Sequence, residues 1–249
     1  MCNTASLVTL GDEEYMSRYY TESFRLISLL YSYKLGVNLD IKVFIDERLK
    51  FARFFYSEGV KPFKSIMSLI ENEQEPYVPT YDESGEPQYI YEWIQAQDGI
   101  EAVGLASLSM LSSALQLYMN GWLDRKEAPK GVEAVSRKGR NGWFHALKDG
   151  IASHGVDFTQ CPIDVDVLEQ LVLARNRTQH SEDITSNSVK HLKLDLDKFQ
   201  SHVFVKPADV AKANTGFNWV RVHVDESNFN QVTDSVEMFC EWLEEQYWL

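Results

Sequence analysis

Residues 175–180, with the sequence RNRTQH, combine the side-chain types that phosphodiester chemistry needs. Cleavage of RNA by its own 2′-hydroxyl requires a base to remove that proton and an acid to protonate the departing 5′-oxygen. Histidine suits either task near neutral pH, because its unperturbed pKa is about 6.5. The transition state gathers negative charge, which the forked guanidinium of an arginine can hold. Arg175 and His180 are therefore candidate catalytic residues, and Asn176 would orient one of them or hold RNA.

The spacing of these residues constrains how they can meet. Five residues of regular helix turn the chain by about 500°, so Arg175 and His180 do not share one face, whereas Asn176 and His180, four apart, do. Arg175 and His180 can converge through the length of the arginine, through a helix break near Thr178, or across the axis of a dimer. This geometry favours a composite site in a two-fold homodimer. The small-residue segment 104–113 and the helix that carries residues 175–180, the motif helix, would supply the apolar surface of the dimer contact.

A simpler interpretation of the same residues stays open. Polar residues such as RNRTQHSED often form only a solvated helix end, with a histidine near its negative pole. Arg177 is then a surface charge, whereas the catalytic interpretation makes it an RNA contact.

Metal and cofactor chemistry are not predicted. The other histidines show no metal-ligand spacing, and the three cysteines form no CxxC pair. Neither a P-loop, a GxGxxG sequence nor a GxSxG sequence occurs. We therefore expect no metal site and no cofactor.

One basic segment stands out in an acidic chain. The net charge is −13, and no basic residue occurs between Lys64 and Arg125, yet residues 125–148 hold seven bases against two acids. Within this segment Arg137, Lys138 and Arg140 are the candidate RNA-phosphate contacts, in a loop that flanking glycines keep adjustable. The alternatives are a solvated linker or a docking site for an acidic partner protein.

The hydrophobic pattern predicts a mainly α protein. Residues 1–75 form an N-terminal helical region, with a break near Gly59 and Pro62. A proline-rich stretch then precedes a second region, 76–249. Its expected helices cover about 90–122, 143–152, the apolar-faced stretch after Pro162 that carries the motif, and 228–247. The first region is expected to contain helices over about 13–33, 41–57 and 63–70.

Two short alternating stretches interrupt the helical pattern. Residues 202–206 and 219–224 resemble strands, so a small β-hairpin is expected as an insertion around 199–225.

The chain is expected to be soluble and cytoplasmic. Residues 102–123 carry no charge, but serines, Gln116 and Asn120 interrupt them, which favours a helix buried among other helices over a membrane span. The N-terminus lacks the pattern of a signal peptide, and the scattered cysteines suit a reducing compartment.

The motif and its setting resemble a known family. Arg175, Asn176 and His180 match the R-[N/H/D]-x-x-x-H signature of HEPN domains, and the helical pattern over about 89–249 is similar to the four-helix HEPN bundle. The resemblance implies a metal-independent endoribonuclease, commonly dimeric, in a toxin–antitoxin or phage-defence setting. The implied partners are RNA, a second copy of the chain, and an antitoxin or other protein.

The family also contains members that only bind. The alternative function is therefore a non-catalytic dimer that serves as a scaffold or regulatory partner. The acidic stretch between Glu71 and Glu101 suits a basic protein partner at least as well as RNA.

Overall fold

The computed structural model describes residues 40–80, 87–129, 132–179, 189–209 and 220–248. This part of the chain is mainly helical, which confirms the predicted class. Its helices are α1 (Ile41–Glu71), α2 (Ile90–Glu127), α3 (Trp143–Ser153), α4 (Val165–Gln179), α5 (Lys193–Leu196) and α6 (Glu226–Trp248), with a 3₁₀ turn at Phe158–Gln160. The helix expected over residues 13–33 lies outside the described residues.

Helix α1 is continuous where the sequence predicts a break. Gly59 and Pro62 both lie inside it, at a cost of about 1 and 3 kcal/mol relative to alanine. One side of the helix buries Ile45, Leu49, Ala52, Tyr56 and Val60. Full burial of each large apolar side chain contributes about 1.5–3 kcal/mol, so packing outweighs the propensity penalty.

Glycines let α1 and α2 approach each other closely. A Cβ added at Gly59 would lie 2.9 Å from Cγ1 of Val103, and one added at Gly99 would lie 2.4 Å from the ring of Phe63. The side chains of α1 therefore share one core with those of α2. Helices on the two sides of the boundary expected at residues 75/76 thus pack in one core, and one compact unit runs from Ile41 to Leu249.

Helix α2 is the central element of this unit. It contacts α1, α3, α4 and α6, and Leu108, Leu111, Leu115, Met119 and Trp122 are fully buried. By length and composition α2 is also apolar enough to cross a membrane, with a mean hydropathy of 1.4 over its most apolar window. The core helix of a globular protein passes the same test, so this is weak evidence for a membrane span.

The small-residue stretch of α2 is only partly covered within the protomer, because Ala106 and Ser113 are exposed and Ser109 is half-buried. Gly104, Ser107 and Ser112 are buried, and a Cβ added at Gly104 would lie 2.8 Å from Cβ of Val224. The dimer surface expected over residues 104–113 is therefore covered by the chain itself at the buried positions and exposed at Ala106 and Ser113. A dimer contact there stays a prediction.

The expected β-hairpin is not confirmed. Residues 203–205 form a turn and a bend, and Arg221 makes an isolated antiparallel bridge with Lys190. Val222 N donates to Val189 O at 2.8 Å, and His223 N donates to Phe204 O at 2.9 Å. The 220–224 segment therefore pairs mainly with 189–191, which its alternation alone does not reveal.

Candidate functional site

Helix α4 carries the motif on its last turns. The side chain of Asp164 accepts a hydrogen bond from Asp166 N at 3.0 Å and so satisfies a free amide at the helix start. Leu168, Leu171 and Ala174 are fully buried and fix the helix against the core. Arg175 and Asn176 follow this anchored face directly and are only partly buried.

Arg175 and Asn176 contact each other. Nη1 of Arg175 donates to Oδ1 of Asn176 at 3.1 Å. Nε of Arg175 is buried and has no hydrogen-bond partner. Within the described part of the chain, no carboxylate pairs with this guanidinium. A partly buried cation without a counter-charge is costly, so the arrangement favours an anion as ligand.

Thr178 ties the end of α4 to the central helix. Its hydroxyl donates to the carbonyl of Arg175 at 2.6 Å and lies 3.4 Å from Oγ of Ser109 on α2. These contacts hold the backbone of the motif in a helical conformation through Gln179. His180 follows directly and lies outside the described residues, so its convergence with Arg175 stays a prediction.

Arg177 has a partner within the chain. Its Nε lies 2.8 Å from Oδ2 of Asp195, and its Nη2 lies 3.3 Å from Oδ1, which gives a two-point ion pair. The side chains are 26% and 13% exposed, respectively. Arg177 therefore links α4 to the start of α5, and the phosphate contact expected for it would have to displace Asp195.

The basic segment is held to the end of α2 at two positions, Val135 and Arg137. Arg137 pairs through Nη2 with Asp124 at 2.8 Å and with Glu127 at 2.6 Å. Val135 N donates to Oε1 of the same Glu127 at 3.0 Å. Lys138 and Arg140, by contrast, are exposed. Of the three expected phosphate contacts, two are free to reach solvent and the third stabilises the end of α2.

We expect Arg137→Ala to destabilise the fold. Glu127 is 7% exposed and would lose its guanidinium partner, which costs about 1–3 kcal/mol for a pair between the exposed and fully buried limits. Thermal melts of Arg137→Ala, Lys138→Ala and Arg140→Ala measure this. Only the first should melt several degrees lower. Equal melting temperatures for all three would show that the ion pairs of Arg137 contribute nothing.

A charged network that the sequence does not signal lies at the middle of α4. Glu169 is 9% exposed, and its Oε1 lies 2.7 Å from Nε2 of His145 on α3 and accepts a hydrogen bond from Lys198. Burial raises the pKa of Glu169, but hydrogen bonds from Lys198 and His145 outweigh this and hold it below its ordinary value. The network joins three separate segments, so no local spacing signals it.

A polar cleft of about 290 Å³ lies away from these groups. It is lined by Gln97, Glu101, Lys206, Asp209, Arg221, Val222 and His223. Burial and the nearby Lys206 lower the pKa of His223, against the opposing effect of Asp225. Because its walls carry both acidic and basic side chains, the cleft lacks the uniformly positive field that a phosphate chain favours.

The described residues contain no group of His, Cys, Asp or Glu side chains that could hold a metal ion. No protein-family model, curated protein or solved structure matches the chain. The chemistry of the site therefore rests on the side chains of α4 and their surroundings.

Proposed function

We propose that the protein is a HEPN-type endoribonuclease that cleaves RNA by attack of the 2′-hydroxyl, without a metal ion. The observation that carries the proposal is the guanidinium of Arg175, which is partly buried, has an orphaned Nε and lacks a carboxylate partner among the described residues. A toxin–antitoxin or phage-defence setting belongs to the same proposal.

Other arginines of the described chain show why this guanidinium is unusual. Arg53 pairs with Asp234 and Glu237, Arg125 pairs with Glu244, Arg137 pairs with Glu127, and Arg177 pairs with Asp195. In an acidic chain with abundant carboxylates, a partly buried arginine ordinarily acquires one. Arg175 has none among the described residues, which leaves the remaining Nη hydrogens of its guanidinium for an external anion such as a phosphodiester.

In the proposed reaction Arg175 binds two non-bridging phosphate oxygens, and Asn176 holds the arginine in place. His180 serves as acid or base. The 2′-hydroxyl loses its proton to the base and its oxygen forms a bond to phosphorus, while the bond to the 5′-oxygen breaks and that oxygen receives a proton. One histidine per motif can serve one of these transfers at a time, so a second copy of the motif across a dimer axis would supply the other.

The first test is the activity of the unmodified protein. We expect it to cleave labelled single-stranded RNA in the presence of EDTA and to leave 2′,3′-cyclic phosphate ends. DNA of the same sequence should stay intact, because it lacks the 2′-hydroxyl. Cleavage that EDTA abolishes, or that also cuts DNA, would rule out this mechanism.

One observation favours the non-catalytic alternative. Arg137 and Arg177, two of the four expected RNA contacts, are occupied by carboxylates of the same chain, which reduces the positive surface available to RNA. A scaffold or regulatory dimer would bind a protein partner and leave RNA uncut. Absence of both RNA binding and RNA cleavage by the folded protein would favour this function.

A further inference from the structure

The outer face of α1 exposes apolar side chains that the other described residues do not cover. Val43, Phe51 and Phe54 are 54%, 55% and 61% exposed, and the two phenylalanine rings stack with their centroids 6.5 Å apart. Single exposed apolar residues are common, but a pair of adjacent aromatic rings at the centre of a helix face is typical of an interaction surface.

Charged residues flank Phe54 in a symmetric arrangement. Glu47 and Lys61 lie seven residues before and after it, and Lys50 and Glu58 lie four residues before and after it. Steps of four and seven residues return to the same side of a helix, so all four charges share the stripe of Phe54. At each distance, one of the two residues is acidic and the other is basic.

From this pattern we propose that α1 binds α1 of a second copy in antiparallel orientation, with the two-fold axis at Phe54. In that arrangement Glu47 lies opposite Lys61 of the second copy, and Lys50 lies opposite Glu58. The axis generates each of these attractive pairs twice, while the phenylalanine rings bury one another at the centre. A parallel arrangement is disfavoured because it would place each charge opposite its own kind.

The charges on this stripe are available for such pairing. Glu47 and Lys50 are 67% and 72% exposed, and Glu58 and Lys61 are 46% and 65% exposed. Each pair interacts within its own helix, at 2.9 and 2.6 Å, but exposed ion pairs of this kind contribute little and rearrange readily. Two acids balance two bases here, so the stripe avoids the repulsion that the net charge of −13 causes between copies.

The surface is limited to one helix face, so we expect a weak and reversible dimer. This contact involves neither the motif helix nor the basic segment, so it is a different contact from the motif-to-motif dimer of the proposed nuclease. Sedimentation equilibrium at protein concentrations up to hundreds of micromolar can therefore test it without any RNA.

Charge reversal provides the decisive experiment. Glu47→Lys places two ammonium groups opposite each other, and Lys61→Glu places two carboxylates opposite each other, so each variant alone should dimerise at least about tenfold more weakly than wild type. An equimolar mixture of the two variants restores both attractive pairs and should form heterodimers. Asp149→Lys, an exposed charge reversal on α3, is the matched control and should dimerise as wild type does.

Phe54→Ser is the second variant, because it removes the apolar centre and keeps the charges. It should also weaken the dimer, with an unchanged circular dichroism spectrum. A wild-type protein that remains monomeric at these concentrations overturns the proposal. So does a dimer that persists unchanged in both charge-reversal variants, or a mixture that fails to recover association.

Discussion

Replacing His180 by alanine is expected to lower the rate of RNA cleavage by about 10²–10⁴-fold, the usual cost of losing one general acid or base. The affinity for RNA should change little, because the proposed phosphate contact is made by Arg175. Single-turnover cleavage at saturating protein separates the two quantities, since it measures the chemical step without binding.

Two controls make this result specific. His202→Ala removes another histidine, one that lies beyond α5 and outside the proposed motif, and should cleave RNA at the wild-type rate. The thermal melt of His180→Ala should overlay that of wild type, which excludes loss of folded protein as the cause. If His180→Ala cleaves as fast as wild type, His180 is not the acid or base and the nuclease proposal loses its central residue.

The sequence predicted the helices whose apolar periodicity and flanking polar residues can be recognised within a short stretch of chain. The apolar stripe formed by Leu168, Leu171 and Ala174 predicted the motif helix, and the structure places it at Val165–Gln179. The final helix was expected over about 228–247 and runs from Glu226 to Trp248. In both helices the periodicity of buried residues and the local polar residues point to the same structure.

The features that the sequence did not reveal depend on contacts between distant residues. Gly59 and Pro62 are helix breakers by propensity, but the approach of Val103 on α2 makes a glycine suitable in α1. Intrinsic helix propensity predicts little where a helix face is buried, because tertiary packing contributes more to the free energy.

The ion pairs between charged side chains were harder still to predict. Whether an arginine is free or paired depends on which carboxylate the fold brings to it, and Asp195 lies 18 residues from Arg177 in sequence. The sequence therefore identified the basic residues correctly by type but could not separate the exposed Arg140 from the ion-paired Arg137.

The difference between an ion-paired arginine and one without a described carboxylate partner predicts opposite effects for Arg177 and Arg175 of the motif helix. Arg175→Ala should lower the cleavage rate by about 10²–10³-fold, because the developing charge on the phosphate loses its main donor. Its effect on the free energy of unfolding should be small, under about 1 kcal/mol, since the substitution removes a cation that no carboxylate of the described residues pairs with, together with a hydrogen bond to Asn176. Arg175→Lys keeps the charge without the fork and should cleave RNA at an intermediate rate.

Arg177→Ala is the matched variant. It should destabilise the fold and leave the cleavage rate nearly unchanged. It leaves Asp195, whose side chain is 13% exposed, without its two-point partner, at a cost of about 1–3 kcal/mol in the free energy of unfolding. Cleavage per folded molecule should remain near wild type at temperatures well below the melt. Chemical denaturation and single-turnover cleavage of both variants test the pair. If Arg175→Ala unfolds more easily than Arg177→Ala and cleaves RNA normally, Arg175 serves the fold, and the unpaired guanidinium no longer supports a phosphate site.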